Sequence, residues 1–118
     1  MVNLDKTQTA QFHPWLDVDD ADGSVGIIYY SAEEDKKNNK VVYPVYAQFR
    51  GGDPSNRENW SNERIGNHGS NIDLCGCKNG VGYRDYIGIH KQSHCAHLAW
   101  TSIVKGEPEV FYGWACGK

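Results

Sequence analysis

Four cysteines, Cys75, Cys77, Cys95 and Cys116, constrain this chain more than any other feature. Their even number, in a chain of 118 residues of which only 39% are apolar, points to two disulfides that supplement a modest core. The one-residue gap in Cys75-Gly76-Cys77 would strain a bridge within that pair, so each is expected to reach outward, to Cys95 or to Cys116. Two of the three connectivities remain. A bridge to Cys116 would tie down residues that otherwise fray, and each bridge would contribute roughly 2 to 4 kcal/mol. Zinc is the competing account, with Cys75, Cys77, His94, Cys95 and His97 as ligands. Cys-x-Cys with His-Cys-x-His is not a standard structural pairing, and the disulfide reading is preferred, with no metal and no cofactor expected.

Oxidised cysteines imply an extracellular, secreted protein, because the cytosol keeps thiols reduced. The first residues, MVNLDKTQTA, lack the basic and then apolar blocks of a signal peptide, so this reading requires that a signal has been removed. No run of eighteen apolar residues exists, and membrane insertion is not expected. Asn59-Trp60-Ser61 forms a glycosylation sequon that fits a secreted surface but recurs by chance. The net charge is -3 and the cations are scattered apart from Lys36, Lys37 and Lys40. A duplex-binding surface needs a basic stripe to neutralise phosphates, so double-stranded nucleic acid is excluded as a partner.

The 118 residues read as one domain, without repeat or linker. Residues 25–32 and 41–50 are rich in β-branched and aromatic side chains and predict two strands, joined by the charged stretch 33–40. Pro44 cannot donate to a ladder, which places the second run at an edge or a bulge. Pro54, the Ser55 and Glu58 capping box and the glycines at 66 and 69 predict a short helix over about 54–65. Alternation over 81–90 predicts a strand with Val81, Tyr83, Ile87 and Ile89 on one face and Arg84, Tyr86 and His90 on the other. Cys95, Leu98, Ala99, Ser102 and Ile103 fall on helical spacing, and Ser93, Lys105, Gly106 and Pro108 supply end signals, so 93–105 reads as a helix against its β-branched Thr101, Ile103 and Val104. A final strand over 110–116 completes an α+β sandwich, a mostly antiparallel sheet of four or five strands with two or three short helices.

Several patterns bear on chemistry. Asp17, Asp19, Asp20, Asp22 and Gly23 form an acidic loop, but the calcium-loop register puts Val18 at the first carboxylate and Tyr29 at the bidentate Glu, so a solvated turn is expected. His90, His94 and His97, with Glu58 or Glu63 and Arg84, contain the types that a ribonuclease-type hydrolase needs, although no signature orders them. Nucleophile elbows, Walker loops and zinc-protease motifs are missing, and a bridged sulfur is not a nucleophile.

What stands out is the density of rings, four Trp, seven Tyr and three Phe, beside many planar polar side chains. A pyranose packs its C–H face on an aromatic ring while its hydroxyls seek amide, carboxylate and guanidinium partners. The preferred expectation is a secreted, lectin-like, non-enzymatic domain that binds a glycan or glycoprotein. Its ligand-binding residues would come from Trp60, Asn62, Asn67, Asn71, Asp73, Tyr83, Arg84, Asp85, Tyr86, Trp100, Tyr112 and Trp114. Core packing is the competing role for Trp60, Trp100 and Trp114. The alternatives are the hydrolase and a disulfide-braced inhibitor or effector of a protein partner. An unpaired edge strand would allow two copies to pair as a homodimer.

Overall fold

The computed structural model describes residues 2–67, 69–71, 87–105 and 107–116. Residues 81–86 of the strand expected over 81–90, and Cys75 and Cys77, lie outside the described residues. Among the described residues, eight strands form two antiparallel sheets, and the helical content is one 3-10 turn, Arg57–Asn59. The first sheet contains β1 (Gln11–Val18), β2 (Val25–Ser31), β3 (Val41–Phe49), β4 (Trp60–Arg64) and β5 (Ser70–Asn71). Its order is β1-β2-β3-β4, with β5 also beside β3. The second is the meander β6 (Gly88–Gln92), β7 (Cys95–Val104) and β8 (Glu107–Cys116).

The expected α+β class is therefore corrected to nearly all β. The span 54–65 holds the 3-10 turn and then β4, and its cap is Asn56, whose side chain accepts the Glu58 N–H. Ser55 is occupied instead with Asp53, to which its hydroxyl and N–H both donate. The span 93–105 is mostly β7, with Ala96, Leu98 and Trp100 buried and His97 and Ala99 exposed between them, and Thr101, Ser102 and Ile103 buried in succession after them. Its β-branched residues sit well on a pleated surface, and Lys105, at φ 53, begins a two-residue connection from Val104 to Glu107 rather than a helix exit.

Ile28, Tyr30, Val42 and Tyr46 of the first sheet meet Ile89, Ala96, Leu98 and Trp100 of the second in the main core. The opposite face of the first sheet carries Tyr29, Val45 and Ala47, covered by Val2, Ile27 and Trp60. Asn62 pins the N-terminal arm there: its Oδ1 accepts from Leu4 N–H at 2.7 Å and Tyr29 hydroxyl at 3.1 Å, and its Nδ2 donates to the Val2 carbonyl at 3.2 Å. Burial on both faces explains why β2 and β3 read as continuous apolar runs.

Pro44 is buried within an interior strand, not at an edge. Its carbonyl accepts from Ile65 N–H, so its missing N–H faces the break between β4, which pairs from Val45, and β5, which pairs with Val41 and Val42. Cys95 and Cys116 face each other across β7 and β8 and are bonded together. This bridge excludes both connectivities expected from the sequence, each of which joined Cys75 or Cys77 to these residues.

Candidate functional site

Cross-strand pairing places His90, His97 and Trp114 in one row on the outer face of the second sheet, and Gly88, Ala99 and Tyr112 in the next. Period-2 alternation explains the placement, since Leu98, Trp100, Phe111 and Ala115 between them turn inward to the core. Tyr112 and Trp114 are 63% and 67% exposed. Trp15, Leu16 and Val110 are exposed as well, but Tyr112 and Trp114 stand side by side on one strand face and form an apolar patch, the kind of surface that marks a partner. Gly88 and Ala99 leave the floor beside Tyr112 low, and a side chain at Gly88 would meet nothing within 4 Å. His97 Nδ1 and the Tyr112 hydroxyl share a hydrogen bond of 2.8 Å, and the two rings stack at 6.1 Å. That bond orients both rings and leaves His97 Nε2 as the polar edge of the face. His90 Nδ1 lies 3.5 Å from Asp17 Oδ2 at the far margin.

The other expected ligand-binding residues divide sharply. Trp100 is 5% exposed and stacks on Phe111 in the core, where Gly66 and Gly113 sit against its ring. Trp60 packs on Phe49 and donates Nε1–H to the Pro54 carbonyl. Asn62 is spent on the N-terminal arm, Asn71 is half-buried in β5, and Asn67 is exposed. Asp73, Tyr83, Arg84, Asp85 and Tyr86 lie outside the described residues. The structure thus brings Tyr112 and Trp114 together and joins to them His90 and His97, which the sequence marked only as part of a histidine cluster.

Beside this face the acidic loop docks on the β6–β7 turn. Asp19 is fully buried, not solvated: Oδ1 accepts from Ala21 N–H at 2.9 Å and Oδ2 from His94 N–H at 2.7 Å. Asp17 accepts from Lys91 N–H, the leading reason its carboxyl lies below the usual range. Asp22 lies lower still, held by the Ser24 hydroxyl and N–H and by His94 Nδ1 at 2.8 Å. The Lys91 ammonium is buried against the Ser24 hydroxyl, and that burial pushes its pKa down. Ligand atoms of Asp19, Asp22 and His94 lie within 4.8 Å of one another and are the described group that could hold a metal ion. Their hydrogen bonds already join the two sheets, so a tethering role accounts for them.

For the hydrolase, His90, His94 and His97 are engaged with Asp17, Asp22 and Tyr112, and none of the described hydrogen bonds or ion pairs links them to Glu58 or Glu63. Cys95 is committed to its bridge and cannot ligate zinc. No family model, no curated protein and no solved structure matches this chain.

Proposed function

We propose that the chain is a secreted, non-enzymatic carbohydrate-binding domain whose glycan contact is the outer face of β6, β7 and β8. The observation that carries this reading is the exposure of Tyr112 and Trp114 on one face of a strand, with Tyr112 oriented by His97. Two rings two residues apart stand about 7 Å apart along the strand, a spacing over which sugar C–H faces can pack. His97 and His90 add polar contacts that a purely apolar docking patch would not need. The Cys95–Cys116 bridge supports an oxidising, extracellular setting.

A glycan array followed by titration calorimetry on the strongest hit tests the reading. Trp114→Ala is expected to weaken binding at least tenfold without lowering the unfolding midpoint, because the ring makes no described core contact. A blank array at millimolar sugar, or unchanged affinity in Trp114→Ala, would remove the proposal.

A further inference from the structure

Where the smaller sheet stops covering the larger one, the inner face of β3 and β4 opens into a cleft of about 320 Å³. Pairing sets Tyr46 opposite Glu63 and Gln48 opposite Ser61 on that face, and Arg50 follows just past the end of β3. Ala115 and the bridged Cys116 form the facing wall. The hollow runs on past Gln48, Arg50 and Ser61 into a second one of about 240 Å³ beside Glu58 and Asn59.

The polar groups here are left over from folding. Tyr46 is only 4% exposed, yet no described residue hydrogen-bonds its hydroxyl. No enclosed side-chain polar atom among the described residues lacks a partner, so this hydroxyl is not enclosed and opens on the cleft that Tyr46 lines. Burial first and Glu63 second push the Tyr46 phenol up to about 12, which keeps it a hydrogen-bond donor at neutral pH. Gln48, 8% exposed, accepts from Arg50 Nη2 at 3.2 Å and keeps its own amide N–H groups free. Among the described residues, none pairs with the rest of the Arg50 guanidinium or with the Glu63 carboxylate, the ion pairs lying elsewhere.

We propose that this cleft binds an acidic saccharide, its carboxylate on Arg50 and its ring hydroxyls on Ser61, Gln48, Tyr46 and Glu63. Among the described residues, a free cation at one end and a free anion at the other select the class. A planar guanidinium grips a carboxylate through two parallel N–H bonds, while Glu63 accepts from hydroxyl donors and disfavours further negative charge at its end. The Arg50 guanidinium folds back onto Gln48, and an α-amino acid, with its two charges on neighbouring carbons, brings no row of hydroxyls for Gln48, Ser61 and Tyr46. A sugar acid carries its charge at one edge of the ring and hydroxyls at the other. The site is separate from the β7–β8 face and shares with the proposed function only the chemistry of its ligand.

Amide NMR titrations of the whole chain with D-glucuronate, D-glucose and acetate at pH 7 test it. Glucuronate is expected to shift the amides of Gln48, Arg50, Ser61 and Glu63 and to bind at least tenfold tighter than glucose or acetate. Arg50→Gln should bring glucuronate to the level of glucose, and Tyr46→Phe should weaken it at least threefold with an unchanged unfolding midpoint. Equal affinity for glucuronate and glucose, equal affinity for glucuronate and acetate, or an indifferent Arg50→Gln variant would each overturn the proposal. Shifts confined to Tyr112 and Trp114 would overturn it too, while leaving the aromatic face standing.

Discussion

The Asp19 carboxylate accepts two backbone N–H groups from different sheets' turns while wholly out of water. Asp19→Ala would leave the part-buried N–H groups of Ala21 and His94 without their acceptor and open a gap where the buried carboxylate sat. The expected loss is about 2 to 4 kcal/mol, with Asp19→Asn costing less because one acceptor survives; urea unfolding measures both. The acidic loop was conspicuous in the sequence, but its role was not, because the partner His94 is 75 residues away and offers its backbone, which no side-chain pattern announces. Tyr112 and Trp114 were legible as rings and Trp100 equally so; only the alternation along β7 and β8 separates the exposed pair from the buried one. Tyr46, Gln48 and Arg50 escaped notice although their i, i+2, i+4 spacing on an expected strand already put them on one face.

At the level of elements, β2, β3 and β8 were visible because β-branched and aromatic runs have no competing reading. The segment 95–104 offered both periods at once, as Ala96, Leu98 and Trp100 alternate while Cys95, Leu98 and Ala99 mimic a helical stripe. Long-range pairing with β6 and β8 decides between them, and pairing is invisible in a window of ten residues. The same pairing sets Cys95 opposite Cys116, closing a loop with a sequence separation of 21. A Cys95→Ser, Cys116→Ser double variant is expected to lose about 3 kcal/mol in urea unfolding, chiefly through the freer unfolded chain. Since Cys116 walls the cleft, glucuronate binding should weaken in that variant while the midpoint falls.

For the whole molecule, stability should depend on acid. Asp17 is held low by the Lys91 N–H, Asp22 by Ser24 and His94, and Asp35 by the N–H groups of Val41 and Lys40. A depressed carboxylate stabilises the fold above its ordinary value of 3.8 and loses that contribution as pH falls through the folded value. Glu33, raised by burial, acts in the opposite sense and favours the fold as pH falls, while Lys91, lowered by burial, favours it as pH rises and only in the alkaline range. Thermal unfolding followed by circular dichroism should be nearly flat from pH 7 to 5 and fall from pH 4 to 2. Asp22→Asn should shrink that fall, and an unchanged acid limb would contradict the assignment.

The arm that Asn62 holds has a kinetic corollary. Leu4 and Val2 meet a residue 58 and 60 positions further on, so during synthesis they leave the ribosome early and wait until β4 exists to receive them. Through that interval the Tyr29, Val45 and Ala47 surface is bare, and a nascent chain is at its stickiest there.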